Sequence, residues 1–106
     1  MNKKTTMDLL REFAPEFAAN QMDAKKLLFE DPRYQQVPNK YKLLAGIAAA
    51  AVLGSVTCMD MWTKQALQAG VTKEEISEII QVARYMKMAT VNDTVSSSYE
   101  IIENAK

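Results

Sequence analysis

Residues 43–58 read LLAGIAAAAVLGSVTC, and this stretch sets the fold. From Leu43 to Leu53 there is no charged side chain, and Ala48 to Ala51 are four consecutive alanines, the residue with the highest helix propensity. A helix here is apolar nearly all round, which predicts a central, buried position. Gly46 and the alanines leave room for a neighbouring backbone to come close. Gly54 supplies a helix stop. Ser55 or Thr57 can then cap a new helix running to about Ala69, which Gly70 ends. The run is well short of the roughly 20 apolar residues that a membrane span requires, so a helical hairpin inside a water-soluble domain is expected.

Downstream lies the sharpest local signal, Val71-Thr72-Lys73-Glu74-Glu75. Thr72 with Glu75 three residues later makes a capping box, and Val71 before it can staple the helix entry. The helix that follows presents Ile76, Ile79, Ile80, Ala83 and Met86 to a core. The apolar pattern weakens from Lys87 to Asn92, which predicts a separate last helix over roughly 90–103 carrying Val91, Val95, Tyr99 and Ile102. Upstream, Leu9, Leu10, Phe13, Phe17, Met22, Leu27, Leu28 and Phe29 recur at spacings near three and four, predicting helix from Thr6 to Asp31. Pro15 starts a second helix within that segment, and Asp31-Pro32 closes it. Arg33 to Asn39 reads as a linker.

With 106 residues the chain is expected to form a single domain over 1–106, all-α, with five or six helices around a central antiparallel helix pair. Its thirteen Lys or Arg balance thirteen Asp or Glu. Neither nucleic acid nor a membrane is therefore an expected partner, since both favour a basic excess. The small basic cluster of Arg33, Lys40 and Lys42 reads as a solvated helix entrance. One cysteine cannot form an internal disulfide, and Met1-Asn2-Lys3-Lys4 does not begin a secretory signal, so a cytoplasmic protein with a reduced thiol is expected. The chain has no histidine. That removes the commonest general base and the commonest transition-metal ligand, and no cofactor or metal is expected.

Cys58 is the one nucleophile of note. If Ser55 caps the helix, Cys58 falls in its first turn, where unpaired N–H groups and the helix dipole favour a thiolate. Ser55, Cys58 and Trp62 are spaced by three and four and share a face. Asp60 nearby opposes thiolate formation, and a free cysteine also packs well as a small hydrophobe. Met59, Met61 and Trp62 read as core or subunit interface.

The run from Leu44 to Cys58, followed by Trp62 to Ile76, resembles the carboxymuconolactone decarboxylase/AhpD-like (alkylhydroperoxidase) family. The segment Ala66 to Ile76 is similar to that family's Ala-Leu-x-x-Gly-x-Thr-x-Glu-Glu-Ile. The resemblance is strongest over residues 38–90. It implies a C-x-x-C-x-x-x-H site with a glutamate twelve residues before the first cysteine. Here those positions are Ser55, Cys58, Trp62 and Leu43, so only the second cysteine is kept. In the family the second cysteine resembles a peroxide-attacking thiol that the first resolves, while the acid and histidine manage its proton. Ser55 cannot form that disulfide, Trp62 only donates a hydrogen bond, and Leu43 is inert.

Three functional expectations follow. In the first, the site is degenerate and the protein is an oligomeric binding or assembly module. In the second, Cys58 works as a one-cysteine peroxidase with an external thiol reductant. The third is decarboxylase-like acid-base chemistry on a small cyclic acid. The resemblance also implies self-association, as a trimer or hexamer, and allows a small-molecule ligand.

Overall fold

The structure, a computed structural model, describes residues 3–106. Every regular element among them is helical: α1 (Thr6–Phe13), α2 (Pro15–Phe29), a single 3₁₀ turn (Pro32–Tyr34), α3 (Asn39–Leu53), α4 (Val56–Gln68) and α5 (Lys73–Glu103). The five α-helices and the absence of strand among the described residues agree with the expected all-α class. Two compact units are present, Met1–Asn39 and Lys40–Lys106.

In the first unit the helix ends follow from local chemistry. Thr5 caps α1 in a capping box with Asp8: the Thr5 hydroxyl accepts from the Asp8 N–H and the Asp8 carboxylate accepts from the Thr5 N–H. Those bonds hold the Asp8 carboxyl below its ordinary pKa. Ala14 both ends α1 and precedes α2, whose first residue is Pro15, where no N–H is needed. The last carbonyls of α2 are met from beyond the helix. Gln35 Nε2 donates to the Leu28 and Asp31 carbonyls, and Asn39 Nδ2 donates to that of Phe29. What the apolar spacing does not deliver is burial. Leu9, Phe13, Phe17, Leu27 and Leu28 are exposed, and Ala18 alone among the residues of α1 and α2 is fully covered.

The second unit holds the principal core. Leu43, Leu44, Ile47 and Ala50 of α3, Ala66 of α4, Val71, and Ile76 and Ala83 of α5 are buried, Ile47 completely. The prediction of an α3 covered on all sides needs correcting. Ala45, Ala49, Val52 and Leu53 are exposed, so within its own unit only one face of this apolar helix finds neighbours.

Glycine sets both stops. Gly54 and Gly70 have φ of 79° and 88°, a left-handed conformation that L side chains resist. At Gly70 the full Schellman pattern is present: the Gly70 N–H donates to the Leu67 carbonyl and the Val71 N–H to that of Ala66. Val71 and Ala66, which this bond joins, are both buried. The capping box predicted for α5 is also found, with Thr72 and Glu75 bonded reciprocally at 3.0 and 3.1 Å. The Glu75 carboxylate additionally accepts from Lys40 at the start of α3.

The expected break near residues 87–92 does not occur. α5 runs as one helix of 31 residues, because no Gly or Pro interrupts it. Thr90 and Thr94 return their hydroxyls to the carbonyls four residues back, Met86 and Thr90, at 2.9 and 2.8 Å. Met86, expected in the core, is exposed, as are Val91, Tyr99 and Ile102, while Val95 is half-buried. No helix among the described residues is long and apolar enough to cross a membrane.

Candidate functional site

α3 and α4 are joined only by Gly54 and Ser55. Ser55 has extended backbone and its Oγ accepts from the Cys58 N–H at 3.3 Å, so it is the N-cap of α4. Cys58 is thus the third residue of the helix, in the first turn, half-buried and free of any disulfide. The placement read from spacing holds. The Ser55 hydroxyl does meet Cys58, but through the backbone N–H, which engages it as a cap.

Trp62, one turn further along α4, lies across Gly46 of α3. A Cβ added to Gly46 would stand 2.9 Å from Trp62 Cε3 and 3.0 Å from Cδ2, closer than carbon atoms tolerate. The indole therefore occupies the space that a side chain at position 46 would fill. Gly46 stands eight residues before Gly54 and Trp62 eight residues after it, which is the register of an antiparallel pair. The close approach expected at Gly46 is thus made by a ring rather than by a backbone. Spacing alone did not reveal that partnership, although an unbranched small residue eight positions before the turn was a usable signal.

Leu43, at the position where the resemblance calls for glutamate, is buried and apolar. Four positions of the expected motif are therefore occupied by a cap hydroxyl, a half-buried thiol, a packed indole and a core leucine. Two members of the basic cluster stand at the surface in ion pairs. Arg33 pairs with Asp31 through two parallel contacts of 3.0 and 3.1 Å and stacks 5.4 Å from the Tyr34 ring centre. Lys40 is engaged by Glu75, which raises the Lys40 pKa and lowers that of Glu75. Among the described residues no group of three or more Cys, Asp or Glu side chains could hold a metal ion.

Two grooves of the second unit lie away from Cys58. A groove of about 330 Å³ runs between α3 and α5, bordered by Ala51, Val52, Ile80, Arg84, Lys87 and Val91. A shallower one of about 260 Å³ separates α4 from α5, with Thr63, Leu67, Ile76 and Ser77 on its walls. Neither contains Cys58.

Fold and site together define an all-helical protein whose one thiol opens the second arm of a helical hairpin. The chain belongs to the carboxymuconolactone decarboxylase family, whose sequence pattern matches residues 15–93, about three quarters of its length. No curated protein and no solved structure matches it. The family match begins well before residue 38, so it takes in α2 as well as the hairpin and the first part of α5.

Proposed function

We propose that this protein is a family member whose thiol-redox site has become degenerate and that acts as an oligomeric binding or assembly module. The observation that carries this reading is the seat of Trp62 on Gly46. A proton relay beside Cys58 needs a group that both takes and gives a proton, and an indole N–H only donates. Leu43 leaves no carboxylate to support one.

One observation favours the alternative of a one-cysteine peroxidase: Cys58 is half-buried rather than sealed, and it stands in the first turn of α4. In that reaction the thiolate attacks a hydroperoxide, giving a sulfenic acid and an alcohol once the leaving oxygen is protonated. An external thiol then condenses with the sulfenic acid, releasing water, and a second thiol restores Cys58 as a disulfide of the reductant departs.

Alkylation of Cys58 in the folded protein, with a hydroperoxide competing, separates the two. Slow alkylation that peroxide does not alter until the protein is unfolded is expected of the degenerate site. Rapid alkylation, blocked by peroxide and recovered with added thiol, would establish the peroxidase reading instead. Peroxide consumption should then disappear in Cys58→Ser.

A further inference from the structure

The groove between α3 and α5 combines apolar walls with two cations. Ala51 and Val52 contribute from α3, and Ile80, Met88, Val91 and the buried Ala83 from α5. All of these belong to the second unit, so the groove is formed within one compact body. Its volume of about 330 Å³ falls in the range of small-molecule sites.

Arg84 and Lys87 border the same groove. Along α5 the order Ile80, Arg84, Lys87, Val91 places all four within an arc of about 60°, at about 100° per residue. Two cations thus interrupt an apolar line near its middle. They stand one turn apart, close enough for a single anionic group to meet both.

No carboxylate competes for them. α3 contains no Asp or Glu, and the nearest on α5, Glu78 and Asp93, lie about 120° or more round the helix from both cations. Among the described residues no ion pair engages Arg84 or Lys87. Arg84 is held instead by a neutral amide: its Nη1 donates to Gln81 Oε1 at 2.7 Å, which steadies the guanidinium without cancelling its charge.

The chemistry complementary to this surface has one negative head and an apolar body. The body is aliphatic, because no aromatic side chain borders the groove and a ring would find nothing to stack on. A phosphate or other compact anion would leave the apolar walls unused. No general base lines the groove, so it can hold such a ligand but supplies nothing to act on it.

We propose that the α3–α5 groove binds a linear aliphatic carboxylate, with its head at Arg84 and Lys87 and its chain along Val52, Ile80 and Val91. The proposal rests on the reading of this protein as a binding module and names the class of ligand. It does not involve Cys58 or Trp62, neither of which borders the groove.

Decanoate titrated into the full chain, followed by calorimetry and by the methionine methyl resonances, tests it. Saturable binding should move the Met88 methyl and leave that of Met61, on α4, in place. Arg84→Gln and Lys87→Gln should each weaken binding about fivefold, whereas Lys87→Arg should keep it. Decan-1-ol, with the same chain and no charge, should bind less tightly. Unchanged binding in both glutamine variants, or a Met88 methyl that stays in place, would overturn the assignment to this groove. Inorganic phosphate that competes as well as decanoate would overturn the ligand class. No binding at all would overturn the proposal and leave the degenerate-site reading to the alkylation of Cys58, whose outcome does not depend on this groove.

Discussion

The two halves of α5 share one backbone and differ in what surrounds it. From Lys73 to Met86 the helix is fixed by the Thr72 cap, by the Glu75 contact with Lys40, and by the burial of Ile76 and Ala83. From Lys87 to Glu103, Met88, Val91, Tyr99, Ile101 and Ile102 stand largely in solvent. The back half is richer in Ser and Thr, yet neither half contains Gly or Pro. Continuity thus requires only that no residue break the backbone ladder, whereas burial is set by neighbours. A helix can outrun its core, and the part that does so presents an apolar face.

The largest effect separating the halves is expected from Ile76→Ala. It empties a buried site and should lower the stability to chemical denaturation by about 2–5 kcal/mol. A denaturation midpoint within error of the parent would mean that the front half is not the anchor.

Next comes Gly46→Ala, which drives a methyl group into the Trp62 ring and should cost about 1–3 kcal/mol. The same change in a Trp62→Leu background should cost little, and an equal cost in both backgrounds would detach the effect from the indole. Thr72→Ala removes a cap bond and is expected to cost about 1 kcal/mol.

The cap is also tied to pH. Lys40 and the Thr72 N–H hold the Glu75 pKa below its ordinary value, so the unfolded chain takes up this proton before the folded one does. The stabilisation is present above the unfolded pKa and is lost as pH falls through the folded value. A Glu75→Gln variant should show a shallower loss of stability on the acid side of pH 4.5, and an unchanged acid limb would remove Glu75 from the account. The smallest effect is expected from Ile102→Ala, within about 0.5 kcal/mol when measured at a dilution that keeps the chain monomeric. A larger loss there would show that the back half is held by its own chain.

These contrasts also explain how far the residues could be read in advance. The hairpin was legible because Gly54 and Gly70 fall where only a left-handed residue ends a helix, and α5 announced its start through Thr72, Glu75 and Val71. Ser55 and Cys58 were placed correctly because capping is a matter of three residues. The end of the front half was misread as the end of a helix, since apolar periodicity reports where a partner lies and not where hydrogen bonds stop. Phe13 and Phe17 lie in helices as their spacing predicts, but spacing gives the face and not whether anything covers it. The meeting of Gly46 and Trp62 needed the register of two helices, which no single-helix pattern contains.

The Ser55 cap also constrains how a two-thiol site could be built on this hairpin. Ser55→Cys would supply a second sulfur, yet it would replace the oxygen that now receives the Cys58 N–H. Sulfur is a poor acceptor, so the step that rebuilds a redox pair would also loosen the first turn of the helix that positions it. Trp62→His would meet a parallel conflict, because withdrawing the indole from Gly46 uncovers packed surface. Ser55 and Trp62, the residues that would have to change, both help hold the hairpin together, so a path to such chemistry descends in stability before it rises in activity.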